Sequence, residues 1–189
     1  MSAERLHFVI TGGTIDSVFD RTRDVITVAS QSIIPEFIKS IRIEPEPEFS
    51  VVCLKDSREL TMEDQENIVS TVLGSESTRI VITHGTYTMP DTARLLKARL
   101  NDSGRRDQVI VFTGSMVPIR GFTDSDAPFN LGFAVAMTEL RDPGLYVAMN
   151  AQTFDPDEVV KFLYEGRFRS IFTKAPLPRQ QKAGDVMPK

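Results

Sequence analysis

Three short segments of this chain set glycine beside hydroxyl side chains: Thr11-Gly12-Gly13-Thr14, His84-Gly85-Thr86-Tyr87-Thr88 and Thr113-Gly114-Ser115. A threonine hydroxyl can attack a carbonyl carbon and carry the acyl group as an ester, while backbone N–H groups hold the oxyanion that forms. Glycine lets the backbone turn sharply and approach a ligand closely. A fourth segment, Lys55-Asp56-Ser57-Arg58-Glu59, adds one more hydroxyl among charged neighbours. Other chemistries are less well supplied. There is no Gly-x-Gly-x-x-Gly, and Gly12-Gly13-Thr14 lacks the lysine of a phosphate loop, so nucleotide binding is the weaker reading. One cysteine, Cys53, and two histidines offer no Cys-based zinc cluster and little for a His-rich site. The expectation is a threonine site with no metal and no organic cofactor.

Each of these segments follows a short apolar run. Leu6-Thr11, Ser50-Leu54, Arg79-Thr83, Val109-Thr113 and Leu145-Met149 are apolar on successive residues, as strands covered on both faces are. Helical patterns lie between them. Thr61, with Asp64 three residues on, opens one that Ile68, Val69, Val72 and Leu73 continue. Thr88 opens a second in the same way, with Ala93, Leu96 and Leu100 behind it. Further helices are expected from Pro128 to Leu140, over Ser32 to Ile41, and from Asp155-Pro156 with Val159, Phe162 and Leu163 facing inward. This alternation predicts an α/β fold: a mostly parallel sheet with helices on both faces. Ligands collect at the carboxyl ends of the strands in such a sheet, and the glycine–hydroxyl segments stand there.

A chain of 189 residues suits one domain with a real core. Its 22 basic and 26 acidic residues give a net charge of −4, which argues against a nucleic-acid partner. No apolar run approaches the roughly 18–20 residues of a membrane span, and Glu4, Arg5 and His7 break any leader-like apolar start, so a cytoplasmic protein without a membrane partner is expected. Residues 1–172 are assigned to the α/β domain. Residues 173–189, rich in proline and basic side chains, are assigned to a flexible tail.

Thr11-Gly12-Gly13-Thr14-Ile15, Thr83-His84-Gly85-Thr86-x-Thr88-Met89, Thr113-Gly114-Ser115-Met116-x-Pro118 and Ser125-Asp126-Ala127-Pro128-Phe129-Asn130-Leu131 resemble, in order and spacing, the bacterial L-asparaginase/glutaminase family. The resemblance runs from about Phe8 to Phe168, and implies the short type that lacks a C-terminal domain. It implies hydrolysis of a small amide with release of ammonia. Thr14 is then the nucleophile and Thr86 the second catalytic threonine. Ser57 binds a substrate carboxylate, and Gly13, Gly85 and Ser115 line the pocket. A homodimer or higher oligomer follows from the same resemblance. Three positions depart from the family pattern. Tyr87 replaces an aspartate that binds the substrate ammonium, which leaves Glu59, and after it Asp16, as the nearest substitutes. Gln108 stands where a lysine is expected, and Phe19 is the ring nearest to the place of a tyrosine. Two outcomes stay open: a pocket re-specified for another amide, weak on asparagine, or a catalytically impaired small-molecule-binding protein. His84 and Cys53 are read as structural.

Overall fold

The computed structural model describes residues 5–172. In chain order the strands are β1 (Leu6–Gly12), β2 (Ser17–Asp20), β3 (Val25–Val28), β4 (Glu48–Lys55), β5 (Arg79–Thr83), β6 (Val109–Thr113), β7 (Gly144–Met149), β8 (Gln152–Phe154), β9 (Val159–Phe162) and β10 (Arg167–Ser170). The helices are α1 (Ile34–Ser40), α2 (Met62–Gly74), α3 (Met89–Ser103) and α4 (Ala127–Leu140). A six-stranded sheet runs β4-β1-β5-β6-β7-β8, parallel throughout except between β7 and β8.

Strands β1, β5 and β6 are buried along their whole length, which is why their sequences are apolar without alternation. Their side chains nevertheless part by face. Val9, Ile80, Ile82, Ile110 and Phe112 pack with Ile68 and Val72 of α2 and Met89, Ala93 and Leu96 of α3. Phe8, Ile10, Val81 and Val111 pack on the other face with Ile34 and Ile38 of α1 and Leu131, Ala134 and Met137 of α4. Each such large apolar side chain contributes roughly 1.5–3 kcal/mol by leaving water. The α/β fold with helices on both faces is therefore what the structure has.

Local signals decide the helix starts unevenly. Thr61 and Asp64 form a reciprocal capping box before α2, with the Asp64 N–H donating to Thr61 Oγ1 (3.1 Å) and the Thr61 N–H donating to Asp64 Oδ2 (2.8 Å). Thr88 does not repeat this: its Oγ1 donates to the Ser57 carbonyl at 2.8 Å, so it ties two loops together instead. Asp126, ahead of α4, likewise does not cap the N–H groups of its own helix: its carboxylate accepts from the N–H groups of Met116 and Val117 and from the Asn130 side chain.

The helix expected from Asp155 is absent. That stretch forms β9, paired antiparallel with β10 in register Val159↔Ser170 and Phe162↔Arg167. Tertiary ties hold it extended. Arg94 of α3 donates to the Val159 carbonyl at 2.8 Å, and Lys97 of α3 reaches both Asp155 and Asp157 at 2.6 Å. Val159 and Phe168 enter the core, while Phe162 and Leu163, expected inside, are exposed. A second hairpin, β2 with β3, follows the Thr14 turn, where the sequence pattern assigns neither strand nor helix. The assignment of residues 173–189 to a tail lies outside the described residues.

Candidate active site

The five parallel strands follow the order 4-1-5-6-7, so the chain winds first to one side of β1 and then to the other. The reversal opens a crevice at the carboxyl ends of β1 and β5, where a doubly wound sheet binds ligands. The loops there touch through glycine. Gly13 has φ +84°, and a Cβ on it would lie 2.4 Å from the Gly85 Cα. A Cβ on Gly85 would lie 2.7 Å from the Ser57 Cβ. Only glycine at both positions lets the loops after β1, β4 and β5 stack this closely, so that Thr14 and Thr86 each stand one residue along the chain from the Gly13–Gly85 contact and Ser57 packs on Gly85.

The turn carrying Thr14 is pinned from both sides. The Gly13 N–H donates to the Lys55 carbonyl at 2.9 Å, and Ser17 Oγ donates to the Gly13 carbonyl at 3.1 Å. The Gly13 amide is thus committed to β4 and does not point into the site as glycine-loop reasoning would have it. Thr14 opens onto a cavity of about 520 Å³ that also takes in Lys55, Asp56, Arg58 and Glu59. A larger cavity of about 790 Å³ lies on the other side of the β2–β3 hairpin; Val18, Phe19, Pro118 and Phe122 give it an apolar wall.

Thr86 is buried, and its Oγ1 accepts a hydrogen bond from Lys161 Nζ at 2.6 Å. Lys161 lies on β9 and is half-buried. Burial, and then the nearby Arg58 guanidinium, hold its ammonium below the usual lysine range, against the opposing pull of Asp56. The Tyr87 ring lies between these cations, 4.6 Å from Lys161 Nζ and 4.7 Å from the Arg58 guanidinium carbon. Arg58 in turn grips Asp56 through two bonds, Nε to Oδ1 at 2.9 Å and Nη2 to Oδ2 at 2.8 Å. A neutral amine beside a threonine hydroxyl can accept its proton, so this pair can do acid–base work.

Other expected residues divide sharply. Ser57 is buried with its Oγ accepting from the Thr88 N–H at 3.3 Å, which leaves its own hydroxyl proton to donate. Glu59 is exposed at the rim of the Thr14 cavity. Ser115 turns away: its Oγ donates to the Val117 carbonyl at 2.6 Å. Thr11 and Thr113 spend their hydroxyls on the carbonyls of Thr83 and Ala148. Asp16 is also buried away from the cavity, accepting from Ser32 Oγ and the Ile33 N–H, and burial raises its pKa. His84 is fully enclosed, bonded through Nδ1 to the Gly85 carbonyl (2.8 Å), and desolvation lowers its pKa to about 4. Cys53 is half-buried on β4, and burial pushes its thiol up to about 11, so it is no thiolate at neutral pH.

Two expected departures are misplaced. Gln108 precedes β6, at the amino end of the sheet, where its Nε2 donates to the carbonyls of Val72 and Ser77 (both 3.1 Å). It stands at the opposite end from Thr86, so a lysine there could not serve that threonine. The lysine that bonds to Thr86 is Lys161, hidden from sequence reasoning because its stretch read as a helix. Phe19 lines the apolar cavity, edge-on to Phe122 at 5.5 Å, and does not line the cavity of Thr14. Among the described residues no group of three or more His, Cys, Asp or Glu side chains could hold a metal ion, and no helix is long and apolar enough to cross a membrane.

Comparison with known proteins gives a consistent picture. The asparaginase N-terminal domain family matches residues 5–176. A glutaminase-asparaginase from Acinetobacter glutaminasificans is 39% identical over 85 residues, 43% of this chain and 24% of that protein. Among solved structures, the thermostable L-asparaginase from Thermococcus kodakarensis superposes with a TM-score of 0.70 at 31% identity, covering 88% of this chain and 51% of that one. A probable cytoplasmic L-asparaginase from Campylobacter jejuni gives 0.69 at 29% identity, covering 84% and 49%. The chain spans about half the length of these structural relatives.

Proposed function

From the premise that this chain belongs to the asparaginase family, matching its N-terminal domain, we propose that it hydrolyses a small amide and releases ammonia, with Thr14 as nucleophile. The observation that carries this reading is the 2.6 Å bond from Lys161 to Thr86, held beside the Thr14 turn by the contact of Gly13 with Gly85. Thr14 Oγ attacks the amide carbon, the C–N bond breaks, and the leaving nitrogen takes up the hydroxyl proton to depart as ammonia. Water then splits the ester, passing its proton through Thr86 to Lys161 Nζ, which returns it to the departing Thr14 oxygen, and the acid so formed ionises into solvent. The product is a carboxylate and Thr14 is restored. No metal or organic cofactor enters this scheme.

Ser57, with a donor hydroxyl at the foot of the crevice, is assigned to substrate binding together with Gly85 and Tyr87, while Gly13, whose N–H and carbonyl are both engaged within the protein, shapes the turn. We further propose a cytoplasmic protein that works as a homo-oligomer, consistent with the printed description of the Campylobacter relative for location. Ammonia release from a panel of primary amides tests the chemistry. Turnover that falls by on the order of 10⁴-fold or more in Thr14→Ala is the expected result. Turnover undiminished in that variant defeats the assignment. Ligand-induced thermal stabilisation with no product from any amide would favour a binding protein on this fold.

A further inference from the structure

Asp16 ends the short turn that carries Thr14 and has no part in the scheme above, yet only 2% of its surface is exposed. Its Oδ1 accepts from Ser32 Oγ at 2.8 Å and from the Ile33 N–H at 2.9 Å. Its Oδ2 is buried without a hydrogen-bond partner, and no cation pairs with the carboxyl among the described residues. Burying a carboxyl in this way is costly, and side chains that break the rule are expected where function needs them. The backbone of the same residue completes a clamp. The Asp16 N–H donates to the Gly13 carbonyl at 3.1 Å, which closes the turn around Thr14. The Asp16 carbonyl accepts from the Ala29 N–H at 2.9 Å, just past β3. The chain thus leaves residue 16, forms the β2–β3 hairpin and returns to residue 16 before α1 begins. Ile15, between Thr14 and Asp16, is buried with Ile34 and Ile38 of α1. On the α1 side, then, the turn has an apolar footing and two polar ties, and both ties go to one oxygen.

We propose that Asp16 is a positioning residue: by holding Ser32 and Ile33 it fixes the turn that aims Thr14 Oγ at the amide carbon. The inference rests on the reading of Thr14 as nucleophile given above. Asp16 touches no substrate and moves no proton. What it supplies is an acceptor at a fixed point, one residue beyond Ile15 and two beyond Thr14. Reacting atoms must meet at about 3–3.5 Å, and a displacement of about 1 Å can cost roughly 10²-fold in rate. A turn free to shift against α1 would therefore bind an amide and attack it poorly.

Steady-state kinetics on whichever primary amide the wild type hydrolyses best tests this with three variants. Asp16→Ala removes the acceptor and should lower kcat by about 10–100-fold while KM stays within about twofold. Asp16→Asn keeps an accepting oxygen and exchanges one unpartnered atom for another, so it should hold kcat within about threefold of wild type. Ser32→Ala removes one of the two bonds from the far end. It should lower kcat several-fold, and it carries the test should Asp16→Ala fail to fold. A merely structural role would lower the melting temperature and leave kcat of the folded protein unchanged. The proposal is overturned if Ser32→Ala keeps wild-type kcat, or if Asp16→Asn is as damaging as Asp16→Ala, which would assign the charge and not the acceptor. Amide hydrogen exchange separates the clamp from the chemistry. Ser32→Ala should speed exchange in residues 13–17 and 29–33 and leave β5 and β6 as they are. Should the wild type turn over no amide, the hydrolase reading falls and the catalytic role of Asp16 falls with it. Turnover with unchanged exchange and unchanged kcat in Ser32→Ala defeats the role of Asp16 alone.

Discussion

Lys161 Nζ lies 2.6 Å from Thr86 Oγ1, a bond between a hairpin outside the main sheet and the loop that follows its central strand. Lys161→Met should lower kcat by about 10²–10⁴-fold, the usual cost of a lost acid–base group. The pH profile gives a sharper check. Lys161 must be neutral to accept a proton, so activity rises with pH as it titrates. Arg58 helps hold its pKa down. Arg58→Gln removes that repulsion and releases Asp56, both of which raise the lysine pKa, so the acidic limb of kcat should move to higher pH. A limb that stays in place or moves to lower pH would separate Lys161 from catalysis.

Gln108→Lys should leave ammonia release unchanged, because the residue caps the amino end of the sheet. Its stability cost should be about 1–3 kcal/mol, since an ammonium must replace an amide that serves two buried carbonyls. Urea unfolding and steady-state assays on one preparation measure both quantities.

Gly85→Ala should reduce activity and stability together. The new methyl would stand 2.7 Å from the Ser57 Cβ and 2.8 Å from its Oγ, so the Ser57 loop must move. Overpacking of this kind costs typically 1–3 kcal/mol. Gly104→Ala is not the right control, since its φ of +73° is itself strained in other residues. Gly132→Ala in α4, with open space at its Cβ, should be harmless to both readouts.

His84 makes stability depend on pH in a defined window. Its pKa falls from 6.5 to about 4 on folding because burial disfavours the imidazolium. The stability it lends is complete above 6.5 and is lost as pH falls toward 4, on the order of 3 kcal/mol in all. The carboxylates held below their usual range by Arg58 and Lys55 act at lower pH. Replacing His84 with Asn should flatten the curve between those two values, as followed by urea midpoints at several pH values.

The central strands were legible because burial on both faces leaves an unbroken apolar run, as in Arg79–Thr83 and Val109–Thr113, whose bounds agree residue for residue. The capping box at Thr61 and Asp64 was legible because it is a purely local exchange of bonds. Local signals misled where distant partners outbid them. Thr88 looks like the same kind of cap, yet Ser57, thirty-one positions away, takes its hydroxyl. The β9 stretch opens with Asp-Pro and spaces its apolar residues like a helix, while Arg94 and Lys97 of α3 hold it extended. The position of Gln108 could have been read correctly. It precedes a strand, and ligands gather where strands end.

Lys161 stands on a two-stranded ribbon, outside the six-stranded sheet that carries the threonine loops. Val159 and Phe168 anchor this ribbon on α3, while Phe162, Leu163 and Tyr164 at its tip face water. The exposed tip of this ribbon, next to Lys161, can open without melting the sheet. Heating should therefore silence the proton relay while the fold stays intact, and the temperature at which the protein stops working need not be the temperature at which it unfolds.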